Sequence, residues 1–177
     1  MLRSVLFICC LTVSASLCES NAQESSREDF NDYCRMMEGR WIGDVIWVAD
    51  WPGFGKKGDK VTAYLDWKVT DGGNALVGKY YGGPGSGTIL TVFDAGSRQI
   101  KETAVSSGGT VWNTIVFKKD GKWMSKSTGS NPDGSKIVGN AVINISDDGK
   151  THRMSGSTTI GGEKVDELRD VWRRLGK

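Results

Sequence analysis

The sequence predicts an all-β fold, an antiparallel up-and-down β-barrel of about ten strands with a short N-terminal helix. Three observations carry that expectation. Turn chemistry recurs from Asp71 to Gly162 roughly every 12–15 residues, slightly above the spacing usual for strings of antiparallel hairpins. Between the turns, apolar and polar residues alternate with a period of two, the mark of strands with one buried face. No segment between the turns has a helical period long enough for the crossover that joins parallel strands.

The chain opens with an export signature. Arg3 supplies a positive start, Val5 to Leu11 form a short apolar run, and Ser20-Asn21-Ala22 place small residues where a signal peptidase reads. The run is too short to span a bilayer. The expected division is a signal peptide over 1–22, a short helical segment over 23–38 and a barrel domain over 39–177. Cys18 follows Leu17, where an acylation site takes a small residue, so no lipid anchor is assigned there. Export would place the protein in the periplasm or outside the cell, with no transmembrane segment once the signal is gone.

Past Gln23, the pairs Ser25/Glu28 and Ser26/Asp29 both fit a capping box. Phe30, Tyr33, Cys34 and Met37 follow at three- and four-residue spacing, which puts them on one face of a helix that ends at Gly39. That face must cover something, and the open end of a barrel is the available surface.

Turns are written at Asp71-Gly72-Gly73-Asn74, Gly82-Gly83-Pro84-Gly85, Asp94-Ala95-Gly96-Ser97, Ser107-Gly108-Gly109 and Lys119-Asp120-Gly121-Lys122. They continue at Asn131-Pro132-Asp133-Gly134, Asp147-Asp148-Gly149-Lys150 and Gly161-Gly162. Val61, Ala63, Leu65, Trp67 and Val69 share one phase, as do Ile137, Gly139, Ala141, Ile143 and Ile145. A sheet this long with one apolar face closes on itself and so removes its edges.

Composition excludes several functions. Net charge is +2, and no basic run is longer than a pair such as Lys56-Lys57 or Arg173-Arg174, so the dense cationic face of a nucleic-acid binder is missing. Three of the four cysteines lie in the signal, which leaves Cys34 alone and rules out an internal disulfide. Cys34 is expected to pack as a small apolar side chain.

Gly39-Arg40-Trp41 after a short helix, together with Asp170-Val171-Trp172-Arg173-Arg174 in the last strand, resembles the calycin superfamily of lipocalins and fatty-acid-binding proteins. There the indole of Gly-x-Trp lies across the closed end of the barrel and a basic side chain of the last strand stacks on it. The resemblance implies that Trp41 is that indole and that Arg173 or Arg174 is its partner; a one-residue register change swaps the two. More closely, the chain is similar to an exported bacterial lipocalin-like family of unknown function, over nearly all of the segment after the signal. Its disulfide-free chain of about ten strands departs from lipocalins proper, which often carry disulfides and eight strands.

Candidate chemistry is sparse. Gly53-Phe54-Gly55-Lys56-Lys57-Gly58 matches the dinucleotide fingerprint, but leads into a strand and not a helix, so it is read as a mobile loop with Trp51 and Phe54 as a lid. His152 is the only histidine, too few for a triad or a multi-histidine metal site, and is read as a solvated surface imidazole. Ten-stranded relatives that bind haem use one histidine as axial ligand, and His152 is the only such donor here. Asp66, Glu102, Asp166, Glu167 and Asp170 are read as solvated strand residues, with Asp166 and Asp170 open to pairing with Arg169 or Arg173.

Seven tryptophans are a notable excess, which either fills the barrel or lines a cavity in it. Trp47, Leu65, Trp67, Tyr80 and Trp112 are the candidate ligand-binding residues, because large rings with a polar edge suit a cavity for a flat or amphipathic molecule. The expected function is non-catalytic binding of a small hydrophobic or amphipathic ligand, with no metal or cofactor. The alternatives are a barrel enzyme, either a hydrolase or isomerase using a carboxylate or a haem enzyme using His152, and an interaction module that exposes Trp51, Phe54 and Trp123 as one patch.

Overall fold

The computed structural model describes residues 23–146 and 148–176. The segment read as a signal, with Cys18, and Asp147 of its turn lie outside the described residues.

Helix α1 spans Arg27–Met37. Of the two possible capping boxes Ser26/Asp29 forms: the Ser26 hydroxyl accepts from the Asp29 amide at 3.0 Å, and the Asp29 carboxylate accepts from the Ser26 amide at 2.8 Å. These bonds hold the Asp29 carboxyl below its ordinary range. Phe30, Tyr33, Cys34 and Met37 are all buried, as the spacing predicts.

Gly39 turns the chain out of the helix with a φ of +118°, a backbone region that favours glycine. A Cβ there would also sit 2.7 Å from the Gly176 carbonyl oxygen and 2.8 Å from Arg174 Nη1.

The strands are β1 (Gly39–Ile46), β2 (Lys60–Thr70), β3 (Ala75–Gly82), β4 (Gly85–Asp94), β5 (Gln99–Ser106), β6 (Val111–Lys119), β7 (Lys122–Ser130), β8 (Lys136–Ile145), β9 (Thr151–Ile160), β10 (Glu163–Lys164) and β11 (Leu168–Gly176). Each pairs antiparallel with its neighbour, and β11 pairs with β1 to close the ring. Ten strands form the staves, and the two-residue β10 is a spur on the end of β9. This is a closed antiparallel barrel with a short helix, an architecture that fits a lipocalin-like, calycin fold. No described helix is long and apolar enough to cross a membrane.

The hairpins follow their turn residues. Lys119 pairs directly with Lys122, so Asp120-Gly121 is a two-residue loop, with φ of 50° and 74°. Both values are positive, as a turn matched to the twist of the strands requires.

The interior has two layers. At the closed end, α1 lies over Trp41, Trp67, Leu76, Ile100, Val116 and Trp123, among other buried residues. The large rings are matched by glycines on the neighbouring stave. Trp67 pairs with Gly78, and Gly43 with Trp172. A Cβ on Gly78 would lie 2.6 Å from the Trp67 ring, and one on Gly43 2.7 Å from the Trp172 ring. The indoles lie flat across a neighbouring strand only because nothing projects from it. Above this layer the interior opens.

Candidate functional site

A cavity of about 310 Å³ occupies the end of the barrel opposite α1. The staves supply inward residues at every second position, so the alternation that identified each strand also decides what faces the cavity.

Three of the five candidate ligand residues face it: Trp47, Tyr80 and Trp112. Leu65 and Trp67 point inward but belong to the packed closed-end layer, where both are buried. They share the phase of the cavity residues and differ only in height, which a period-two pattern does not report.

The loop between β1 and β2 covers the mouth. It is braced within itself: Trp51 bridges Gly55, and the Asp50 carboxylate accepts from Lys56 Nζ at 3.0 Å and the Lys57 amide at 2.9 Å. Phe54 packs 5.5 Å from both Trp47 and Tyr80, and Trp51 lies 5.7 Å from Trp112. Gly85 leaves the space Phe54 fills, and Gly108 lets Pro52 approach its backbone. The fingerprint-like glycines are thus part of a lid seated on the β3–β4 and β5–β6 turns. No helix follows them, and no phosphate cradle is formed.

The expected exposed patch does not exist. Phe54 is 6% exposed and Trp123 8%, the first facing the cavity and the second packed under α1 against Tyr33 at 5.2 Å.

Two carboxyls line the cavity, against the expectation of solvated strand faces. Glu102 stands on β5 and Asp170 on β11, diametrically opposite staves in the ring of ten. Glu102 accepts a hydrogen bond from Thr91 Oγ1 at 2.9 Å, while burial pushes its carboxyl up to about 7. Asp170 does not pair with Arg169 or Arg173. Arg173 reaches Asp44 at 3.4 Å, Arg169 reaches Glu167 at 2.8 Å, and Asp166 pairs with Lys57 at 2.9 Å. With no charge or hydrogen bond to hold the ionised form, burial alone pushes Asp170 up to about 7. Tyr80 is raised by burial first and then by the Asp170 charge. The signal for both carboxyls was present in phase: Glu102 shares the parity of Ile100 and Ala104, and Asp170 that of Leu168 and Trp172.

His152 is not a surface imidazole; it is 2% exposed. Its ring lies 5.1 Å from Trp41 and 6.0 Å from Trp172, and neither ring nitrogen has a hydrogen-bond partner. Burial, followed by the Arg174 charge, lowers it to about 4, so it is neutral. β9 looked polar because Thr151, Arg153, Ser155 and Ser157 take the opposite phase to His152, and the last three of them are exposed. As a haem ligand His152 does not fit, because it lines no part of the cavity and two indoles occupy the space beside its ring.

The remaining polar lining is mainly hydroxylic, with the amide of Asn140 among it. Thr114 and Ser127 are hydrogen-bonded to each other at 2.8 Å, and Ser106 Oγ accepts from the Thr110 amide at 3.0 Å. No cluster of metal-ligating side chains occurs among the described residues. The arrangement therefore offers a molecule aromatic surface at the mouth and two carboxyls on opposite walls. Compared with protein-family models and with curated proteins, the chain matches no family model and no curated protein.

Proposed function

We propose that the protein is a non-catalytic binding module that holds one small hydrophobic or amphipathic molecule in its barrel, beneath the β1–β2 lid. The observation that carries this reading is the cavity of about 310 Å³, floored by a packed aromatic layer and roofed by Trp51 and Phe54. A barrel stabilised by its interior alone would fill that space, because each unfilled volume costs packing energy. Trp47, Tyr80 and Trp112 supply contact area with polar edges. The signature at Arg3, Val5 to Leu11 and Ala22 supports export to the periplasm or the exterior, and the Gly39-to-Trp172 pattern supports membership in an exported bacterial lipocalin-like family.

Native mass spectrometry of the exported protein, purified without refolding, tests this. The expected spectrum has a discrete extra mass that disappears on denaturation. A bare mass that persists after incubation with fatty acids and aromatic amphiphiles would sink the reading.

A second reading, an acid–base enzyme of the hydrolase or isomerase type, is favoured by one observation. Two carboxyls raised by burial line the cavity on opposite walls, where one could take a proton from a bound molecule as the other gives one. It requires that a molecule captured by the protein be chemically converted on incubation, and that Glu102→Gln and Asp170→Asn stop the conversion while still capturing it.

A further inference from the structure

We propose that the cavity takes an organic cation, a small amine carried on an apolar or aromatic body, with its ammonium on the unpartnered Asp170 carboxyl, Glu102 adding negative charge on the opposite wall, and its body against the rings of the mouth. This rests on the binding reading above and names the ligand class.

The charge of the lining is the first argument. The chain as a whole carries 23 Lys and Arg against 21 Asp and Glu, so a random lining would be mixed. Among the residues lining the cavity, the acids are Glu102 and Asp170, and there is no Lys, Arg or His. A fatty acid or other anion would meet two carboxyls and no base. A cation meets an opposite charge from both walls.

Second, the carboxyls are not consumed by the fold. Glu102 has one hydroxyl partner, Thr91, and Asp170 has neither an ion pair nor a hydrogen bond within the described residues. A buried carboxylate without a partner destabilises the protein that carries it. Asp170 is thus matched by nothing in the barrel, and an ammonium supplies the missing partner with a charge-assisted hydrogen bond.

Third, five rings line the cavity in two groups, Trp47, Phe54 and Tyr80 in mutual contact and Trp51 against Trp112. Ring faces attract a desolvated cation as well as an apolar body. An amine entering past the lid therefore has favourable surface along its whole path, and a neutral isostere lacks the charge terms.

The test is calorimetric titration of the purified full chain with 4-phenylbutylamine, 4-phenylbutanol and 4-phenylbutyrate at pH 8, a series that varies charge on one body. The amine is expected to bind about tenfold or more tighter than the alcohol, with the butyrate weakest. Asp170→Asn should weaken the amine by about fivefold or more and Glu102→Gln by less. Near-ultraviolet circular dichroism like the parent's shows that the variants are folded, and an unchanged amine affinity in Asp170→Asn overturns the assignment. Equal or tighter binding of the alcohol or the butyrate overturns the cation assignment and leaves the binding reading standing. Binding of none of the three overturns both.

Discussion

Arg174 lies 4.1 Å over the Trp41 ring and reaches past it to the end of α1, donating from Nη2 to the Met36 carbonyl at 2.7 Å and from Nη1 to the Glu38 carbonyl. Its Nε donates to the Gly149 carbonyl at 3.0 Å, and the Trp41 indole itself donates to the Met37 carbonyl at 2.8 Å. One side chain of the last strand thus joins the first strand, the helix end and the β8–β9 turn. The carbonyls at a helix C-terminus carry partial negative charge and lack intrahelical partners, so a cation there is doubly favoured.

Arg174→Ala should therefore destabilise the barrel by about 2–4 kcal/mol, the cation–π contact plus charged hydrogen bonds. Arg173→Ala, which removes only an exposed pair with Asp44, should change stability by less than about 1 kcal/mol. Urea unfolding of the two variants side by side checks this. Equal losses would mean that neighbouring position, and not the Trp41 contact, sets the cost.

Gly78→Ala should be destabilising by about 1–3 kcal/mol, because its new methyl meets the Trp67 ring at 2.6 Å in a packed layer. The same change in a Trp67→Leu background should cost markedly less, and the double-mutant cycle gives the coupling directly. Additive effects would show that the glycine serves the backbone and not the indole.

How much of this was legible in the sequence depends on the period each feature follows. The staves, the helix face and the inward phase of Trp47 and Tyr80 follow from alternation that local residues write. Whether an inward residue sits in the packed layer, as Trp67 does, or in the cavity, as Trp112 does, depends on strand tilt and register, which are properties of the closed ring. The same limit hid Glu102, Asp170 and His152. Their charge or polarity overrode a phase that pointed inward, and only the facing staves reveal that they are enclosed. The choice of Arg174 over Arg173 needed register too, since it follows from Trp41 pairing with Arg174.

Cys34 is 4% exposed beneath the helix, and burial followed by the Glu38 charge pushes its thiol up to about 11. The thiolate is the reactive form, so the native protein should react with a disulfide reagent at least about a hundredfold slower than the urea-unfolded chain. Stopped-flow absorbance reads both rates. A native rate close to the unfolded one would mean that α1 opens freely from the barrel end.

The pH dependence of stability separates the cavity from the closed end. Glu102 and Asp170 have folded values raised to about 7 from ordinary values of 4.5 and 3.8, so the folded state holds their protons more tightly than the unfolded chain. Their contribution is fully present below about 4 and is lost as pH rises through 7. His152 has the opposite sense: lowered to about 4 from 6.5, it favours the fold above 6.5 and that gain is lost as pH falls toward 4. The titratable groups facing the carboxyls are Tyr33 from α1 and Tyr80 from β3, both raised and neutral across this range. Two carboxyls outweigh one histidine, so stability should rise on acidification from pH 8, less steeply below about 6.5 where protonation of His152 in the unfolded chain opposes the gain. Glu102→Gln with Asp170→Asn should remove the rise and stabilise the protein at pH 8 by on the order of 2–4 kcal/mol for each carboxyl. His152→Leu should steepen the rise below about pH 6.5, and its loss strands no polar group because its ring nitrogens have no hydrogen-bond partner. Urea midpoints from pH 4 to 8 measure all three curves. A wild-type curve flat between pH 8 and 6.5 would mean that the two carboxyls already have a partner in the cavity.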